Sequence, residues 1–183
     1  MTDFEYASVV VSIVLALGIA DILRFIADTF RESGERKIYW VHLLWILILL
    51  ELHVEFWWLM WNFRDTVAVG PILGFLLLGP ALLFVATRTL LPASSSDTDL
   101  QSLYFRRKTP FFVVMVLTNI WSLIANPWSL EATSRESMIG GLAVFAVLMM
   151  LFIAAIFSSN RLLHNGVVGT IATVELAQLL AAV

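Results

Sequence analysis

Three long stretches without a single Asp, Glu, Lys or Arg, at Thr66–Thr87, Thr109–Leu130 and Ser137–Asn160, set the strongest limit on this chain. Each exceeds the about 20 residues a helix needs to cross a hydrocarbon core of about 30 Å. In lipid every backbone N–H and C=O has to be paired within its own segment, so such runs fold as membrane-spanning helices. Three further apolar segments carry isolated charges. One starts at Tyr6 and meets Asp21 and Arg24 late, one runs from Trp40 through Glu51 and Glu55, and the last, from Leu162, holds Glu175. The pattern predicts an all-α polytopic transmembrane helical bundle, one domain with six spans at about 6–27, 40–62, 70–90, 109–126, 138–159 and 162–182. Five spans and a surface helix is the alternative, the last segment being the weakest.

Composition narrows the class further. Hydrophobic residues make up 60% of the 183 and charged residues 14%, against roughly 45–50% and about 25% in soluble domains. Cysteine is absent, which excludes disulfides and thiolate metal sites. A net charge of −3 with no large basic patch argues against nucleic acid. The opening Met1-Thr2-Asp3-Phe4-Glu5-Tyr6 lacks the basic start of a secretory signal, so the first apolar segment is expected to stay as a span.

Basic residues set the expected orientation. With the N-terminus outside, Arg31, Arg36, Lys37, Arg88, Arg106, Arg107, Lys108 and Arg161 fall in inner loops and Arg24 at the inner end of the first span. Only Arg64 and Arg135 fall outside. Trp40 on the inner side and Trp57, Trp58, Trp61 and Trp128 on the outer suit interfacial aromatic belts. In the break at Pro92–Pro110, Asp97 or Asp99 is expected to cap a short helix, Leu100–Lys108, that leads into the fourth span. Arg106, Arg107 and Lys108 either touch anionic lipid headgroups or serve only as an orientation signal. Gly79-Pro80 is expected to kink the third span, and Asn126-Pro127-Trp128 to end the fourth. Gly140-Gly141 and Gly166 with Gly169 are read as points of close helix contact, and Gly70 and Gly74 as a packing seam or a loop-to-helix junction.

Three stretches carry a resemblance: Ser12–Phe25 (SIVLALGIADILRF), Ile38–Trp58 (IYWVHLLWILILLELHVEFWW) and Tyr104–Phe112 (YFRRKTPFF). They resemble a group of small bacterial polytopic integral membrane proteins of unknown function. The resemblance implies a helical bundle in the bacterial inner membrane. It implies no activity and assigns no residue a role.

Chemistry concentrates in a few intramembrane polar groups. Glu51 and Glu55, one helical turn apart, share a face that Trp58 and Asn62 continue. His42 and His53 share the opposite face. On the last segment Glu175 is followed one turn later by Gln178, and on the fourth Asn119, Ser122 and Asn126 form another polar stripe. An ionised carboxylate at the bilayer centre costs roughly 2.5–3.5 kcal/mol on insertion scales. The eleven Lys and Arg collect near the membrane surfaces, leaving these acids uncompensated. Three outcomes follow: protonation, a bound cation, or pairing with a protonated His. The pattern suits an ion pathway of Glu51, Glu55, Glu175, His53, Asn119 and Ser122 carrying protons or monovalent cations. The plainer alternative is that these groups hydrogen-bond across helices and specify packing. Asp21 and Arg24, with Asp28, have the spacing of local ion pairs, and with Gln178 are assigned to helix interfaces.

The expected function is therefore a small channel or transporter-like protein, homo-oligomeric so that its polar residues meet at the centre or at interfaces. A non-catalytic scaffold or subunit binding partner helices is the second reading, and a haem- or quinone-associated redox subunit the third. His42 and His53 lie about 16 Å apart on one helix and cannot clamp one haem. His42 and His164, both near the inner surface, are the candidate axial pair. No GxSxG, Walker A or HExxH pattern occurs, so no enzyme and no metal-dependent catalysis are expected. Lys37 and Lys108, the only lysines, fall outside the expected spans, which excludes a buried Schiff base.

Overall fold

The computed structural model describes residues 3–31, 36–61, 64, 73–93, 99–125 and 135–181. Six helices follow one another: α1 (Asp3–Arg31), α2 (Trp40–Trp61), α3 (Leu73–Leu90), α4 (Leu100–Ala125), α5 (Arg135–Phe157) and α6 (Arg161–Ala181). No strand occurs among the described residues. The first five helices are long and apolar enough to cross a membrane. The sixth is interrupted by His164, Asn165, Glu175 and Gln178 and is not among these five.

Neighbouring helices run antiparallel. Phe4 meets Trp61 at one end of the α1–α2 pair and Phe25 meets His42 at the other. Phe75 lies against Trp121 across α3–α4, and Phe112 against Phe152 across α4–α5. This alternation gathers Arg24, Arg88, Arg106, Arg107 and Arg161 at one end of the bundle, the basic end. Exposed Trp57, Trp58 and Trp61 mark the opposite, tryptophan end.

Two helices differ from the sequence expectation at their limits. α1 extends to Arg31 because an Asp28–Arg31 ion pair of 2.9 Å, in a last turn carrying basic charge, supports the extra helix. α4 is one helix from Leu100, not a short helix followed by a span. Asp99 caps it by accepting from the backbone N–H groups of Gln101 and Ser102 at 3.1 and 3.0 Å. The helix then runs through Pro110. α3 likewise continues through Pro80. Residues 126–134, with the expected stop at Asn126-Pro127-Trp128, lie outside the described residues, as do Asn62, Gly70 and Asp97.

Two apolar clusters build the interior. At the basic end Trp45 sits edge-on to Phe111 and Phe112, at 5.0 and 5.5 Å between ring centroids, beside Phe152, Val167 and Val168. All six helices contribute to this cluster. The cluster at the tryptophan end, with Val11, Leu15, Phe56, Leu76 and Trp121, draws only on α1 to α4. Among the described residues, α5 and α6 therefore join the apolar interior only at the basic end.

Close approach is made at two glycines. A Cβ on Gly18 would strike the His53 imidazole, and one on Gly79 would come within 2.5–2.7 Å of the Phe56 and Trp121 rings. Gly74, Gly140, Gly141, Gly166 and Gly169 have open space where a Cβ would stand, so the contacts expected at the α5 and α6 glycines are not made within this chain.

Candidate functional site

α2 carries Glu51 and Glu55 on the face it turns to α6, and α6 brings Glu175 to the same place. Carboxylate oxygens of the three lie within 4.8 Å of one another. Glu51 is close to half-way along α2, far from either helix end. At an effective dielectric of about 20, two ionised carboxylates 4.8 Å apart repel by roughly 3 kcal/mol, and three would impose that on every pair. Three ionised carboxylates this close call for a shared proton or a cation to offset their repulsion, and their oxygens are near enough to ligate one ion together. Among the described residues no ion pair involves any of the three; Asp21 and Asp28 take the arginines instead.

The trio borders a half-open cavity of about 580 Å³ between α2, α4, α5 and α6, with Leu83 of α3 at its side. Glu55 and Glu175 line it, and so do Asn119 and Ser122 of α4. The structure thus brings five of the six expected pathway residues to one place. Glu51 Oε2 on α2 and Asn119 Nδ2 on α4 are both buried without a hydrogen-bond partner. Thr118 also lines the cavity, but its hydroxyl donates to the Val114 carbonyl at 3.0 Å. Ile48, Met115, Phe152 and Ile171 close the cavity toward the basic end, where the Trp45 cluster begins.

His53 does not join the acids. It is fully buried on the other side of α2, with Nδ1–H donating to the Leu49 carbonyl at 2.6 Å and Nε2 pressed against Gly18 of α1. The helical period explains this, since positions 51 and 55 share a face while 53 is turned about 200° from each.

His42 and His164 are engaged in a different task from metal ligation. His42 Nε2–H donates to the carbonyl of Leu90, the last residue of α3, at 3.1 Å. His164 Nε2–H donates to the Ser158 carbonyl at 3.0 Å, which leaves Nδ1 to accept from the Tyr104 hydroxyl at 2.9 Å. The Tyr104 ring lies between the two imidazoles, 6.5 Å from one and 5.4 Å from the other. With both nitrogens of His164 committed and tyrosine in the gap, this pair does not fit the axial ligation of a haem.

Lys108 departs from the headgroup role. Its side chain is buried, and Nζ donates to the carbonyls of Ile156 and Ala155 at 2.7 and 3.4 Å, in the last turn of α5. A cation at a helix C-terminus meets the negative end of the dipole and satisfies carbonyls that lack a helical partner. Arg106 and Arg107 are exposed. Asp21 pairs with Arg24 at 3.1 Å as its spacing predicts, and also with Arg88 of α3 at 3.2 Å. That second partner, 67 positions away in the chain, has no local sequence signal. The Gln178 side chain lies outside the described residues.

No protein-family model matches this chain, and no curated protein or solved structure matches it either, so its own side chains are what bear on its function.

Proposed function

We propose that this chain is a small bacterial inner-membrane protein that binds and translocates protons or cations at Glu51, Glu55 and Glu175. The observation that carries the reading is the meeting of three carboxylates, within 4.8 Å, at mid-helix depth beside a polar-walled cavity. The cavity is closed toward the basic end, which supports a transporter-like cycle with one-sided access over an open channel. By the excess of Arg and Lys at the basic end, that end faces the cytoplasm and the N-terminus lies outside, with α6 as the sixth span. Burial of only 11% along the apolar window of α5, against 28–39% in the other four, together with the open Gly140 and Gly141, favours a homo-oligomer joined through α5.

Reconstitution tests the central reading. Vesicles holding the wild-type protein should show proton or monovalent-cation flux under an imposed gradient, and Glu51→Gln, Glu55→Gln and Glu175→Gln should each slow it by about tenfold or more, the scale of losing a charged contact. If wild type and all three variants are equally silent while the variants lose their oligomer, the acids are interface residues and the protein is a scaffold.

A further inference from the structure

We propose that the cavity between α2, α4, α5 and α6 takes a bulky organic cation, its charge held by Glu51, Glu55 and Glu175 and its apolar body by Phe56, Trp58, Trp121 and Phe152. This rests on the cation-handling reading above and names the class of cation.

Size is the first ground. Pockets for organic ligands span about 300–1,000 Å³, and 580 Å³ falls inside that range. The same space would hold roughly twenty waters at about 30 Å³ each, far more than a dehydrated metal ion or a proton relay requires.

The lining is the second. Five aromatic residues line the space, Phe56, Trp58, Trp61, Trp121 and Phe152, and most of the other lining residues are aliphatic. Phe56 and Trp121 stack at 5.2 Å, and the Trp121 indole N–H is held by the Phe75 carbonyl at 2.9 Å, which leaves both as preformed apolar wall. Trp58, at the mouth, is exposed. Aromatic faces attract desolvated organic cations, tryptophan most strongly. An alkali or divalent ion needs a shell of oxygens instead, and beyond the acids the side-chain oxygens on the cavity wall are those of Thr118, Asn119 and Ser122, all on α4.

Charge is the third. Among the described residues no Arg, Lys or His lines the cavity, and Glu55 and Glu175 are its only titratable side chains, with Glu51 adjoining. An anion finds no counter-charge there. A cation entering the trio replaces the protons its oxygens share, so uptake of the organic cation is coupled to proton release.

Tetraphenylphosphonium, a permanent cation without a hydrogen-bond donor, is the probe, titrated into the detergent-solubilised full chain. Tryptophan fluorescence reads binding, and a pH dye in weak buffer reads released protons. Saturable binding with proton release is expected, with tetraphenylborate, an anion of the same shape, failing to bind. A Glu55→Gln/Glu175→Gln double variant should weaken binding by at least about tenfold, and Trp58→Ala by several-fold. Equal binding of the two ions, or binding unchanged in the double variant, would mark a greasy cleft and overturn the proposal. Sodium or potassium releasing protons where tetraphenylphosphonium does not would overturn it while leaving the cation-handling reading intact. If no cation releases protons from the wild type, the proposal is overturned, and the cation-handling reading fails with it where the vesicles also carry no proton flux.

Discussion

Gly18 shows how much a single position decides. Its missing side chain is the space that the His53 imidazole occupies, and each lies in a predominantly apolar helix, α1 and α2. Gly18→Ala should lower the unfolding midpoint in detergent by the equivalent of about 1–3 kcal/mol, the usual cost of forcing an atom into a filled core. The double variant with His53→Ala should recover part of that loss, because the second change opens the space the first requires. Periodicity placed Glu51 and Glu55 on one face and His53 on the other, and the structure agrees. What periodicity lacks is the neighbour: no spacing within α2 indicates that its acidic face meets α6 while its histidine face meets a glycine of α1.

At the level of the helix, the basic end is held together by side chains that close C-terminal turns. His42 serves α3, Lys108 serves α5, and His164 serves the link from α5 to α6. All three were open to functional readings because a titratable residue at a span boundary looks alike whether it meets a cofactor, a headgroup or a carbonyl. Only the partner distinguishes them, and the partner lies 47 or 48 positions away for Lys108 and His42. Lys108→Met keeps the length of the side chain and removes the donors; it should cost about 1–3 kcal/mol of stability, measured by thermal unfolding, and expose the end of α5 to hydrogen exchange. Tyr104→Phe removes a single donor to His164 and should cost about 1 kcal/mol in the same assay. The spans themselves were legible from the start, since an uncharged run of membrane length has few other ways to pair its backbone. Their ends were legible only in part: the Asp99 cap and the helix start at Leu100 could be read from the sequence, whereas the extension of α1 to Arg31, with its Asp28–Arg31 pair, runs into polar sequence that hydropathy reads as loop.

For the molecule as a whole, the two apolar clusters divide the labour. One unites six helices at the basic end, and the other unites four at the tryptophan end. Amide exchange should follow this division. Slow exchange is expected through the basic-end halves of α5 and α6, and faster exchange through their tryptophan-end halves, where fewer partners resist local opening. The cavity with its acids occupies the space this asymmetry leaves, a consequence of three-dimensional packing that amphipathic analysis of single helices does not contain.

Such an attachment gives the α5–α6 pair the mechanics of a lever. Its pivot is the knot of Tyr104, Lys108 and His164, and α5, 23 residues long, is an arm of about 35 Å. A turn of about 10° at the pivot sweeps the free tip by roughly 6 Å, a side chain's breadth, at the 1.5 Å rise per residue that sets the arm's length. The same turn would carry Glu175, 11 residues beyond His164 and so about 16 Å from the pivot, by roughly 3 Å relative to Glu51 and Glu55, more than half of the 4.8 Å that now spans the trio.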